Sequence, residues 1–271
     1  MATRLFEEKD HIALYQQFRF SPQQNLLGVI FSYLERKKTN SFQLAVDVGC
    51  GSGQSTLVLA KRFEKVVGTD ISAAQIKEAK RASHPPNVDY FLCPAEALPF
   101  KDSSVDLITA FNAAHWFDAP RFLREVDRVL TPAGCVAVSS YNLEAEVHYK
   151  DCSEKLTEIF MELREQFFAY ADEKIQRVMN GYKEIFDSLL YQDKKRFIDI
   201  VDKVPFSIAG LMGYVESLAM YQTFLKAQPE VAKALLQNTE KRFLEAMGVS
   251  SRDTTVELWM KHICILGCKN P

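Results

Sequence analysis

Between residues 43 and 141, short apolar runs alternate with segments of helical spacing, and no other feature limits the possible folds as tightly. LAVDVG, KVVGTD, VDYFLCP, VDLITAF and GCVAVSSY read as five strands. STLVLAKRF, SAAQIKEAKRA and the stretch carrying Phe122, Val126, Val129 and Leu130 read as helices. Ser72 stands where an N-cap is expected, and Asp118 with Pro120 opens the helix before the fifth strand. Short connections in this rhythm predict an α/β fold: a doubly wound, mostly parallel sheet with helices on both faces. Ligands then sit at the carboxyl ends of the strands.

After residue 142 the rhythm changes. Residues 148–168 carry an apolar stripe of Cys152, Leu156, Ile159, Phe160, Leu163 and Phe167, and residues 173–191 repeat the effect. RFIDIVDKVPFSIA and VELWMKHICILGC read as two late strands, which brings the sheet to seven. LMGYVESLAMYQTF and PEVAKALLQNTEKRFLEAMG read as helices, the second ending at a glycine. Before the alternation lie helices over 10–18 and 23–38, the latter closed by the cations of ERKK. The chain reads as one domain over 1–271, with lid helices in 1–42, a ligand-binding core in 43–142, and a helical cap in 143–195 and 210–247. With 271 residues, 47% of them hydrophobic, a sizeable core is within reach.

A net charge of −2 gives no electrostatic case for nucleic acid or an anionic membrane. No apolar run approaches the ~20 residues of a membrane span, and MATRLFEEKD lacks the apolar core of a signal peptide. The six cysteines are scattered without a CxxC pair, so neither a disulfide scaffold nor a metal site is expected. A cytoplasmic monomer acting on a small molecule is the expectation.

The loop after the first strand, AVDVGCGSGQST, places Gly49, Gly51 and Gly53 at every second position. A dinucleotide fingerprint would carry its third glycine at position 54, where Gln54 stands. The strand ends on Asp47, a poor neighbour for pyrophosphate and a good one for a cation. Asp70 ends the second strand about 20 residues after the first glycine, where an acid accepts hydrogen bonds from ribose hydroxyls. An adenosine-like ligand, cationic on one side and without phosphate, is implied. S-adenosyl-L-methionine meets those conditions.

DVGCGSG, GTDIS, CPAEALPF and VDLITAFNAAHWF, taken as a series, resemble the motifs of class I S-adenosylmethionine-dependent methyltransferases over residues 43–141. YQQFRFSP at 15–22, AAHWF at 113–117 and LMGYVESLAMYQTF at 211–224 are similar to segments of the trans-aconitate methyltransferase-like enzymes. The resemblance implies cofactor roles. Asp47, Gly49, Gly51 and Gly53 line the methionine moiety, Asp70 takes the ribose, and Ile71 packs on the adenine. Ala95 and Glu96 meet the adenine amino group, Asn112 and Ala113 lie beneath the sulfonium, Arg19 pairs with the methionine carboxylate, and Tyr15 closes over it. For the acceptor it implies His115, Trp116, Tyr214 and Tyr221, with His115 as the candidate catalytic group and S-adenosyl-L-homocysteine as the co-product. Carboxyl O-methylation of a small organic acid is favoured. Carbon, amine or phenol methylation stays open, as does cofactor binding without turnover. A nicotinamide oxidoreductase is disfavoured by Asp47 and Gln54.

Overall fold

The computed structural model describes residues 9–37 and 42–270, with only the backbone described at Lys9 and Leu143. The chain start MATRLFEE and Lys38 of the expected ERKK helix end lie outside the described residues. Two helices lead in, α1 (Lys9–Phe18) and α2 (Gln24–Lys37). The alternation follows as β1 (Leu44–Val48), α3 (Gln54–Leu57), β2 (Lys65–Asp70), α4 (Ala73–Arg81), β3 (Val88–Leu92), β4 (Val105–Phe111), α5 (Ala119–Val129) and β5 (Leu130–His148). Then come α6 (Ser153–Phe168), α7 (Ile175–Met179), α8 (Lys183–Ser188), β6 (Asp193–Ser207), α9 (Ile208–Glu216), α10 (Ala219–Ala227), α11 (Pro229–Met247) and β7 (Thr255–Cys268).

The seven strands form one sheet in the order β3-β2-β1-β4-β5-β7-β6. The first five pair in parallel, and β7 lies antiparallel between β5 and β6. Strand order reverses between β1 and β4, so the crossovers diverge there and leave a crevice at the carboxyl ends. The period-2 alternation of strand side chains sorts the core into two layers. On β4, Leu107 packs beneath α2 with Leu26, Ile30 and Leu34, while Ile108 packs beneath α5 with Phe122, Val126 and Val129. The expected caps form: Ser72 Oγ accepts from Gln75 N, Asp118 accepts from Arg121 N, and Gly248 ends α11 in a left-handed conformation (φ 63°).

A third apolar cluster belongs to the cap. β5 does not end near residue 142 as expected; it runs to His148, and after a register shift beyond Tyr141 it pairs Ala145 with Met260 and Val147 with Leu258. Those inward residues carry Ile159, Leu163 and Phe167 of α6, with Leu211, Tyr221 and Phe243 behind them. The cap is therefore built on the overhang of two long strands.

Three expected helices are shorter than their periodicity. STLVLAKRF makes one helical turn, then tight turns from Leu59 N to Thr56 O and from Arg62 N to Leu59 O. Thr56 is tied back to Asp47 and Leu59 is fully buried, so the segment closes against the sheet before a second turn can grow. The 173–191 segment divides at Gly181 (φ 61°) and Tyr182 (φ 51°). The 211–224 segment breaks at Ser217 and Leu218, where Ser217 Oγ bonds back to Tyr214 O at 2.6 Å.

Candidate active site

The glycine loop turns at the reversal point of the sheet. Gly49 N and Cys50 N both donate to Thr69 O, at 2.7 and 2.9 Å, which anchors the loop to β2. Gly49 has φ +72°, and a Cβ there would fall 2.4 Å from Ala113 Cβ. Gly51, at φ +54°, faces open space: a Cβ would meet only Gln75 Oε1 at 3.8 Å, so bare backbone is presented to a ligand. Gly51 N donates to Asp70 Oδ2 at 2.9 Å and Ser72 N donates to Asp70 Oδ1 at 2.8 Å. Two backbone donors thus fix the Asp70 carboxylate at the edge of the cavity. Cys50, inside the loop, is buried, and burial raises its thiol pKa, so it serves as a small packing residue and not a nucleophile.

A cavity of about 520 Å³ opens over this loop, floored by the carboxyl ends of the strands and roofed by the cap. Most of the expected residues line it: Tyr15, Arg19, Gly49, Gly51, Asp70, Ile71, Ala95, Glu96, Asn112, Ala113, His115, Trp116 and Tyr214. Ile71 is 46% exposed at its rim, an apolar surface suited to a flat ring. Asn112 adopts φ +54° at the end of β4, and its Oδ1 accepts from Tyr141 N at 3.1 Å. Glu96 Oε1 accepts from Asp118 N at 2.8 Å, so it holds the start of α5 while lining the cavity.

Three expected residues stand elsewhere. Asp47 is fully buried behind the loop, not in the cavity. It accepts from Ser55 Oγ (2.7 Å), Thr56 Oγ1 (2.8 Å) and Thr109 Oγ1 (2.8 Å), a knot joining β1, β4 and α3. Burial pushes its pKa up to about 6, against the lowering effect of the three hydroxyls. Gly53 (φ +91°) packs against the Tyr90 ring, where a Cβ would fall 2.4 Å from Oη. Tyr221 lies beyond the break at Ser217, so it does not share a face with Tyr214; its Oη donates to Ala232 O at 3.0 Å inside the cap.

Arg19 joins the lid to the cap. Its guanidinium lies 5.0 Å from the Tyr15 ring centre and 5.2 Å from that of Tyr214, and Nη2 donates to Ser217 O at 3.3 Å. Its Nε is buried without a hydrogen-bond partner. A buried cationic donor left open in a cavity wall suits a carboxylate. Together with the bare Gly51 backbone and the Asp70 carboxylate at the cavity edge, it fits an adenosyl ligand that ends in an amino acid.

His115 sits in the short turn Ala114–Trp116 that follows β4. Its Nδ1 lies 2.9 Å from Tyr182 Oη, and Ser140 also bonds Tyr182 through its side chain. Tyr182, its pKa raised by burial, keeps its proton. Burial and the neighbouring Arg177 pull the imidazole down to about 4, so it is neutral at physiological pH. Trp116 packs on His115 (ring centres 4.9 Å apart) under Lys174 Nζ at 5.4 Å. Sequence reasoning missed Gln75, whose buried Oε1 is unpartnered in the cavity wall, and Arg164, which reaches the cavity from α6.

Comparison with known proteins agrees with this geometry. Residues 46–138 match the family described as a methyltransferase domain. A protein of Dictyostelium discoideum named as a methyltransferase is 32% identical over 229 residues, 82% of either chain. A solved structure of a type II methyltransferase from Anaeromyxobacter dehalogenans superposes with a TM-score of 0.73 at 24% identity, over 90% of this chain and 96% of that one. A Haemonchus contortus N-methyltransferase solved with S-adenosylhomocysteine shares the fold at a TM-score of 0.50 and 16% identity, over 99% of this chain and 58% of that one. The chain belongs to the class I S-adenosylmethionine-dependent methyltransferases, and its cofactor is S-adenosyl-L-methionine.

Proposed function

We propose that this methyltransferase transfers the methyl group to a carboxylate oxygen of a small organic acid, as the trans-aconitate methyltransferase-like enzymes its motifs resemble do. The observation that carries this reading is the state of His115. It is the imidazole lining the cavity, it is held near pKa 4, and its Nδ1 is committed to Tyr182. A group so poised is a weak base. A carboxylate, with a pKa near 4, is ionised at neutral pH and needs no proton removed.

When bound, the cofactor supplies a methyl group already activated by sulfonium charge. The chain's residues then have one task, alignment of the partners at about 3–3.5 Å in line. Arg19 and Asp70 hold the two ends of the cofactor, the Gly49–Ala113 contact sets the floor, and His115 with Trp116 orients the acceptor. A cavity of about 520 Å³ fits a small acceptor beside the cofactor and not a macromolecule.

Labelled cofactor offered to panels of organic acids, phenols and amines tests the reading, with base-labile methyl esters as the expected product. His115→Ala should lower turnover by about ten-fold at every pH between 6 and 9, as expected for a lost orienting hydrogen bond. A large loss that high pH restores would instead mark His115 as a base and a hydroxyl as the acceptor.

A further inference from the structure

Two of the six cysteines, far apart in sequence, meet across the sheet. Cys135 of β5 and Cys268 of β7 are direct register partners in the antiparallel pair, and all six thiols are free. A bulge beside them fixes which kind of partners they are. Ala133 N (φ +60°) donates to Lys269 O at 3.1 Å and Lys269 N donates to Gly134 O at 2.9 Å, so two residues of β5 oppose the one that follows β7. The backbone groups of Lys269 thus point at β5, and those of Cys268, one residue earlier, point the other way, to β6, where its register partner is Asp193. Cys135 and Cys268 are therefore a non-hydrogen-bonded pair, the closer of the two antiparallel kinds, with Cα atoms about 4.5 Å apart. Disulfides bridge Cα separations of roughly 4.4–6.8 Å. Both side chains lie in the layer under α2, and the Cys135 thiol donates to Cys268 Sγ. Cys264 shares that face four residues along β7, about 13 Å away, too far to compete for Cys268.

We propose that Cys135 and Cys268 are a peroxide-sensitive dithiol that closes to a reversible cross-strand disulfide and ties together the two roots of the cap. Cys268 is the attacking thiol. The hydrogen bond from Cys135, with Lys37 nearby, lowers its pKa against the raising effects of burial and Asp193, while the same bond and burial raise that of Cys135. Lys37 pairs with Asp193, and both are about one-third exposed, so a molecule as small as hydrogen peroxide comes within one residue of Cys268. The Cys268 thiolate attacks one peroxide oxygen, the O–O bond breaks, and the departing hydroxide takes up a proton as water. The sulfenic acid left on Cys268 is then attacked by the Cys135 sulfur. The S–S bond forms, the S–O bond breaks, and the oxygen leaves with the Cys135 proton as a second water. Two electrons pass from the two sulfurs to one peroxide. Residues 136–267, between the joined positions, carry all of α6–α11 and β6, so the bond closes a loop around the whole cap. A link over so long a loop removes much of the unfolded chain's freedom. It lies at the amino end of β5, away from the cavity at the carboxyl ends.

The test treats the full-length wild-type protein with a small molar excess of hydrogen peroxide, quenches with acid, alkylates the remaining thiols and reads the digest by mass spectrometry. The expected product is a peptide pair joined through Cys135 and Cys268, short of two hydrogens, with Cys264 alkylated. Dithiothreitol should restore both thiols. The oxidised protein should melt about 5 °C or more above the reduced one, with S-adenosylhomocysteine affinity within about two-fold. Cys135→Ser should still take up one oxygen at Cys268, whereas Cys268→Ser should react with peroxide at least about ten-fold more slowly. Peroxide that leaves Cys135 and Cys268 as free thiols in wild type, or links either to another cysteine, overturns the proposal without need of a variant. A disulfide that forms but leaves the melting temperature unchanged or lower overturns the tie on the cap.

Discussion

The floor of the cavity and its roof are made by different means. The floor is mostly backbone: Gly49, Gly51 and the end of β4, with the Asp70 carboxylate clamped by two amides, all within residues 49–113. The roof is side chain: Tyr15 and Arg19 from α1 and the segment after it, Arg164 from α6, Lys174 ahead of α7, and Tyr214 from α9. A floor of backbone admits one ligand shape and is slow to change. A roof of side chains on separate helices changes with any one of them. The difference teaches where to look for each half of the chemistry: the adenosyl seat is read from the floor, while the roof carries both Arg19, proposed for the cofactor's carboxylate, and side chains that border the acceptor's space.

The strongest way to break that contrast is to undo the knot under the floor. Asp47→Ala leaves three hydroxyls without their acceptor in a buried place and should cost about 2–4 kcal/mol in denaturant unfolding. The same knot has a pH signature. Asp47 has its folded pKa raised to about 6 from 3.8, so its contribution favours folding below pH 3.8 and is lost as pH rises through 6. Asp47→Asn should remove that slope from melting temperatures measured across pH 4–7. His115 runs the other way: its folded pKa is lowered to about 4 from 6.5, so its contribution is present above 6.5 and lost as pH falls toward 4.

Next in size is Asp70→Ala, which removes the proposed ribose acceptor and the acceptor of Gly51 N and Ser72 N. S-adenosylhomocysteine affinity should fall about 100-fold by calorimetry, with little change in the cap. Arg19→Gln should weaken S-adenosylhomocysteine by about 10- to 30-fold while leaving methylthioadenosine, which lacks the amino acid end, within about two-fold. Equal losses for both ligands would mean that Arg19 acts through the lid's packing and not through a carboxylate. The smallest effect belongs to Tyr221→Phe. Its hydroxyl serves Ala232 O inside the cap, so stability should drop by about 1 kcal/mol with methyl transfer unaffected.

What the sequence disclosed follows the same division. The alternating runs gave the sheet because strand and helix periodicities are local, and the place of Asp70 at the cavity edge was legible because it depends on a fixed spacing from the first glycine. Asp47 was legible as important but misplaced, since nothing in the spacing reveals that Ser55, Thr56 and Thr109 take up its lone pairs. Arg164 carried no signal at all. In MELREQ it reads as one charge among others on the polar side of an amphipathic helix, yet it is half-buried beside Leu163 and reaches the cavity while Glu162, Glu165 and Gln166 stay exposed. The break between Tyr214 and Tyr221 was hidden for a related reason. LMGYVESLAMYQTF has helical spacing throughout, and the interruption is stabilised from nearly 200 residues away in the chain.

The carbonyl of Ser217 accepts from His11 Nε2 at 3.0 Å and from Arg19 Nη2 at 3.3 Å, so the corner that shapes the roof is held by the same segment that carries Arg19, the residue proposed to meet the cofactor's carboxylate. A graft that swaps residues 211–224 for those of another methyltransferase, to import a new acceptor, inherits this dependency. Without the matching residues 11–19 the graft loses its corner, and with them it brings a different grip on the cofactor. Acceptor choice in this scaffold is thus modular only if the lid travels with the cap.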